Sequence, residues 1–206
     1  MLKIWGRLSS VNVQKVVWAA RELNLPFERI DAGGKFGHVD TPEYARMNPN
    51  RLVPVIDDDG FILWESNAIV RYLASRNGAG NLWPGDLRTR ADADRWMDWQ
   101  TTEFGPAMRD AFLQLIRTPE DKRDDALVAA SVAQSNRKAL LLEDALFTRD
   151  FLAGKRFTVA DIAVGAQAHR WLGLPIERPA TPRLRAWYER VSQRAAAAEV
   201  LTLPLA

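Results

Sequence analysis

Leu52-Val53-Pro54-Val55-Ile56-Asp57-Asp58-Asp59-Gly60-Phe61-Ile62-Leu63-Trp64-Glu65-Ser66 holds most of the architecture in small compass. Two apolar runs, residues 53–56 and 61–64, flank an acidic segment that ends in Asp59-Gly60. An Asp-Gly pair supplies the backbone angles of a tight reversal, so the runs are two antiparallel strands. Pro54 lacks an N–H and stands where a strand begins, a place proline tolerates. Ser66 follows the second strand and is positioned to cap a helix carrying Ala68, Ile69, Tyr72 and Leu73 on one face.

Upstream the grammar alternates. Residues 2–5 form a short apolar run. Val13, Val16, Val17 and Ala20 then recur at helical spacing, which predicts a helix over 11–23. A second strand is expected over 27–31, followed by a polar, glycine-bearing stretch, Ala32-Gly33-Gly34-Lys35-Phe36-Gly37. Downstream, Gly78, Gly80, Pro84 and Gly85 mark a linker, and no strand pattern follows it. Thr118-Pro119 and Thr181-Pro182 each read as an N-cap followed by proline at the first helical position. Thr158 and Asp161 form a capping-box-like start, with Phe157 and Ile162 at the positions of a hydrophobic staple. Gly173 and Pro175 stop that helix. The fold class is therefore α/β plus all-α: a domain over 1–77, a linker over 78–87 and an all-helical domain over 88–206.

Composition narrows the function. Of 206 residues, 47% are hydrophobic and 26% charged, which excludes intrinsic disorder as the main state. No apolar run is long enough to span a membrane, and the N-terminus lacks a signal-peptide core, so a cytoplasmic protein with no membrane partner is expected. Cysteine is absent, so any thiol chemistry must use a thiol brought by a ligand. The two histidines, His38 and His169, stand far apart, and no metal site is expected. Basic residues, 28 against 26 acidic, never exceed adjacent pairs, so no nucleic-acid partner is expected either.

Leu52-Val53-Pro54-Val55-Ile56, Leu63-Trp64-Glu65-Ser66-Asn67-Ala68-Ile69 and Phe157-Thr158-Val159-Ala160-Asp161-Ile162-Ala163 occur in one order over nearly the whole chain. In this the chain resembles the cytosolic glutathione transferases of the bacterial, serine/asparagine type. The resemblance implies a thioredoxin-like first domain, a helical second domain, a homodimer, and glutathione as co-substrate.

In serine-type members the activating serine sits just before the first helix, and Ser10 matches it best. In another branch the string is T-P-N-G-x-K; counting back from Lys15 puts Asn12 on the asparagine and Ser10 on the threonine. Val11 and Val13 depart from that string, and Ser9 remains a rival to Ser10. The energetics are sufficient. A thiol of pKa about 8.5 is only about 3% thiolate at pH 7, and lowering the pKa by about two units takes about 2.7 kcal/mol. One hydrogen bond to a charged sulfur supplies about 1.5–3 kcal/mol. A helix N-terminus adds about 0.3–2 kcal/mol. The competing reading is that Ser9, Ser10 and Asn12 merely cap a helix.

A carboxylate at Glu65 can pair with the γ-glutamyl ammonium, and Ser66 with its N–H at a helix start can hold the γ-glutamyl carboxylate; the competing reading is a simple helix cap. The resemblance implies a cis bond before Pro54, which turns the backbone of Val53 toward the cysteinyl amide like an added strand. Arg51, Lys35 and His38 are candidates for the glycine carboxylate. Asp161 is read as structural and His169 as part of its helix. Gly105-Pro106 should kink the first long helix. There Trp96 and Trp99 are expected to pack inside, while Phe104, Met108 and Arg109 are expected to line the pocket of a small hydrophobic electrophile. The function expected is glutathione transfer to that electrophile. The alternatives are a glutathione-dependent disulfide or peroxide reductase and a non-catalytic binding protein on the same scaffold.

Overall fold

The computed structural model describes residues 1–206. β1 (Leu2–Trp5), α1 (Val11–Glu22), β2 (Phe27–Ile30), α2 (Pro42–Met47), β3 (Val55–Asp58), β4 (Phe61–Trp64) and α3 (Ser66–Asn77) form the first unit. Its sheet runs β2-β1-β3-β4. β1 and β2 are parallel because α1 carries the chain across, whereas β3 pairs antiparallel with both β1 and β4. Asp58 faces Phe61 across the hairpin, leaving a two-residue turn in which Asp59 (φ 51°) and Gly60 (φ 92°) both take positive φ. This is the geometry that Asp-Gly favours.

The second unit is helical: α4 (Leu87–Trp99), α5 (Gly105–Ala107), α6 (Arg109–Phe112), α7 (Asp125–Ala145), α8 (Val159–Gly173), α9 (Pro182–Ser192) and α10 (Ala198–Leu201). No helix is long and apolar enough to cross a membrane. One cluster of 37 buried apolar residues runs through both units. α1 lies at its centre, packed on α3 on one side and α8 on the other. Val13, Val16, Val17, Trp18, Ala19 and Ala20 are all fully buried, so α1 has no solvated stripe over these turns. A Cβ built at Gly165 of α8 would stand 3.1 Å from the Trp18 ring, so glycine is what lets α8 approach so closely.

Capping departs from the sequence expectation at three places. Ser66 is the first residue of α3 rather than its cap; the cap is Glu65, at φ 70° and without a side-chain cap bond. After Thr118-Pro119 there is only a 3₁₀ turn over Glu120–Lys122, and α7 starts later, where the Asp124 carboxylate accepts the N–H groups of Ala126 and Leu127 at 3.0 Å. Thr181 does precede a proline at the start of α9, but its side chain does not cap. The Glu143 carboxylate reaches over from α7 instead and accepts the N–H groups of Arg183 (3.2 Å) and Leu184 (2.9 Å). The capping box forms: Asp161 accepts the Thr158 N–H at 2.9 Å, and Phe157 and Ile162 are both buried beside it.

Candidate active site

A cleft of about 680 Å³ lies between the two units. Its first wall is the β1–α1 turn. Gly6 (φ 152°) presses against α1 so closely that a Cβ there would meet Val13 at 2.4 Å. Past it the Arg7 N–H bonds the Ala32 carbonyl and the Ser10 N–H the Arg7 carbonyl, both at 3.1 Å, and α1 begins at Val11. Ser10 is the N-cap by backbone, yet its hydroxyl makes no capping bond. Asn12 is exposed one residue into the helix, and the first turn of α1 carries no acid. Ser10, Val11 and Asn12 line the cleft; Ser9, half-buried, does not. The positive end of α1 therefore faces the cleft without an internal counter-charge.

Opposite stand Glu65 and the buried Ser66 at the start of α3, again with no acid in the first turn. Val53 lines the cleft as well. The Val53-Pro54 bond is cis, and the main-chain N–H and C=O of Val53 have no main-chain partner. The preceding carbonyl is anchored: Leu52 accepts from the Tyr44 hydroxyl at 2.9 Å and from the Asn48 amide at 2.8 Å. Burial pushes the Tyr44 phenol up to about 12, which keeps it a donor. Pro54 itself is buried behind this edge.

Arg51 reaches the cleft, with its guanidinium donating to the Asp40 carbonyl at 2.9 Å. Lys35 and His38 do not. Lys35 stands exposed on a 3₁₀ turn (Gly34–Phe36) with its ammonium 5.2 Å from the Phe36 ring, and His38 is exposed at φ 67°.

The pocket expected from Phe104 and Met108 must be corrected. Both are fully buried, and Phe104 stacks on Trp99 at 5.3 Å. Trp96 and Trp99 pack against the same core, as expected. The reason is the path of the chain after α4. Pro106 cannot donate to the helix ladder, and two π-helical turns, Gln100–Phe104 and Leu113–Arg117, flank the short α5 and α6. Thr101, Gly105, Arg109, Leu113 and Arg117, at four-residue spacing, line the cleft. Phe104 and Met108 stand one position earlier, on the flank turned to the core. Arg109 lines the cleft, with the half-buried Leu113 and an edge of the otherwise buried Phe112 as apolar neighbours.

Some lining residues carried no sequence signal. Arg7, Arg117 and Arg170 converge on the cleft, and the Arg170 and Arg117 guanidinium carbons lie 3.8 and 4.8 Å from the Phe112 ring centre. Burial first, and then Arg117 and Arg7, pull Arg170 down to about 10. Gln100 and Gln167 line the cleft wall, joined at 3.1 Å. Behind them the buried Lys15 ammonium donates to Asn67 Oδ1 and Gln100 Oε1, each at 2.9 Å. No carboxylate neutralises it, and burial lowers it to about 7, against a raising influence of Glu65. The one available hint was a lysine inside the apolar face of α1.

Thioredoxin-like sheet, helical partner and a cleft bounded by two helix starts define a recognised class. Residues 1–75 match the family model described as glutathione S-transferase, N-terminal domain, and residues 104–195 the corresponding C-terminal domain. The chain belongs to the glutathione S-transferase family. It is 38% identical to glutathione S-transferase GstB of Escherichia coli strain K12, with 100% of both chains covered. It is 30% identical to glutathione S-transferase theta-1 of Mus musculus over 93% of this chain and 82% of that one. The theta class glutathione S-transferase of Xanthomonas axonopodis pv. citri, solved with glutathione bound, superposes with a TM-score of 0.96 at 43% identity, covering 100% of this chain and 99% of that one.

Proposed function

We propose that this chain is an enzyme that binds glutathione in the cleft, stabilises its thiolate through Ser10 or Asn12, and adds the sulfur to a small electrophile with an apolar body. The observation that carries the reading is the Ser10 hydroxyl, which sits at a helix start and is not spent on capping that helix. A hydroxyl freed from capping, beside an unneutralised helix N-terminus, suits a sulfur anion. Glu65 pairs with the γ-glutamyl ammonium and Ser66 with the γ-glutamyl carboxylate. The open N–H and C=O of Val53 meet the cysteinyl amide, and Arg51 takes the glycine carboxylate. Asn12, in the same cleft, also favours a second reading, reduction of glutathionyl disulfides or peroxides. Turnover of a glutathionyl disulfide against an aryl halide separates the two.

The protein acts as a cytoplasmic homodimer that detoxifies electrophiles. Support for the dimer comes from the family resemblance and from the exposed side chain of Phe61 on the edge strand β4. The deciding experiment is the pH–rate profile of Ser10→Ala and Asn12→Ala with saturating glutathione. The residue that meets sulfur raises the apparent thiol pKa when removed, and the rate below that pKa falls about 10–100-fold. An unchanged profile in both variants removes the mechanism.

A further inference from the structure

The cleft is far more cationic than glutathione requires. Arg7, Arg51, Arg109, Arg117 and Arg170 line it, against Glu65 as the single acid of the lining. Under the proposed reading Arg51 and Ser66 serve the two carboxylates of glutathione. Four arginines of the lining then remain without a part in holding glutathione. Arg7, Arg109, Arg117 and Arg170 form no ion pair with any Asp or Glu, although thirteen such pairs exist elsewhere, including with the N-terminal ammonium. Arg117 already spends one N–H at 2.9 Å on the terminal oxygen of Ala206, and four of its five donors remain.

Three of these side chains have contacts that position them. Arg170 and Arg117 both lie over the Phe112 ring, and a Cβ built at Gly33 would stand 2.8 Å from the Arg7 guanidinium, which rests over that glycine loop. Like charges gathered in a cleft repel, and around the half-buried Arg7 and Arg170 less water is left to screen that repulsion than around the exposed Arg109 and Arg117. Such a group is favourable when an anion completes it, and guanidinium forks match planar oxyanions.

We infer that the electrophile is an organic anion: an apolar body carrying a carboxylate or similar oxyanion, gripped by Arg7, Arg117 and Arg170 against Phe112. This rests on the transferase reading and adds the substrate class. For an aryl halide the thiolate sulfur forms the new bond to the ring carbon and chloride leaves with its bonding electron pair. The thiol proton goes to solvent, and the remote anionic group takes no part in the bond changes.

The test pairs chlorodinitrobenzoate with chlorodinitrobenzamide, which replaces the carboxylate by a neutral amide of similar shape. The unreactive methyl analogues of both serve as binding probes. With glutathione present, the inert benzoate is expected to bind about tenfold or more tighter than the inert benzamide, and kcat/KM, corrected for the spontaneous rates, to follow the same preference. Arg117→Gln and Arg170→Met should each shrink that ratio, while Arg117→Lys retains part of it. Arg117 is exposed, so its variants remain informative if Arg170→Met fails to fold. Equal binding of the two probes overturns the inference, and so does a preference that survives in every arginine variant. A raised thiol pKa in those variants with an unchanged ratio also overturns it, since the arginines then serve the sulfur. Preferential binding of the benzoate without turnover of either halide supports the anion site and removes the transferase reading instead.

Discussion

Raising the pH from 7 to 9 should make this protein more stable, because of Lys15. Its ammonium is buried among neutral amides, with Asn67 and Gln100 as acceptors, and burial lowers it from 10.5 to about 7. Glu65 opposes that shift, and the charges of Arg71 and Arg170 add to it. The unfolded chain keeps the lysine proton up to its ordinary pKa, while the folded chain sheds it from about pH 7 upward. The unfolded state therefore holds more protons across the window, and the unfolding free energy climbs with pH. Integrating that difference from pH 7 to 9 gives about 2 kcal/mol. The assay is urea denaturation at a series of pH values, followed by tryptophan fluorescence, in the wild type and in Lys15→Met. The wild type should gain the increment. Lys15→Met should lack it, although the variant is less stable overall by about 1–3 kcal/mol because two buried amide oxygens lose their donor. A wild-type curve that is flat or falling over this window, or the same rise in Lys15→Met, would show that the ammonium is not carried into the fold as described.

On the proposed pairing of Glu65 with the γ-glutamyl ammonium, Glu65→Gln should raise KM for glutathione about tenfold or more with little change in kcat, since such a pair would form in ground state and transition state alike. Steady-state kinetics at fixed electrophile checks this, and an unaltered KM would argue against an ammonium at Glu65. Glu143→Ala removes the carboxylate that accepts from the Arg183 and Leu184 N–H groups, leaving the buried Leu184 N–H without an acceptor. About 1–3 kcal/mol of stability should go with it, seen as a fall in Tm by circular dichroism, while a Tm within a degree or so of wild type would mean that water replaces the carboxylate.

The hairpin, the helix faces and the capping box were legible because each is decided within a few residues. Asp59-Gly60 turns a strand because these two residues tolerate positive φ wherever they occur. Thr158 and Asp161 close their box within one helical turn. The absence of cysteine settled from composition alone that any thiol must be borrowed. The start of α1 was legible too, but not the state of its hydroxyl: Ser10 was equally a capping residue on paper, and the path of the chain leaves that role unfilled.

What the tertiary structure decided depends on groups that are distant in sequence. Phe104 and Met108 go to the core because the adjoining flank, Thr101, Gly105 and Arg109, is the one turned to the cleft. Lys15 is buried because α3 and α8 pack on α1 from two sides, bringing Asn67, Gln100 and Gln167 into one network. Arg7, Arg109, Arg117 and Arg170 never form a basic run in the chain, yet they meet in one cleft. Periodicity and turn chemistry act between near neighbours, whereas burial and Coulomb interaction act between whatever the packing brings together. The scaffold was therefore written locally, and the charge of its cleft emerged only when the helices closed on the sheet.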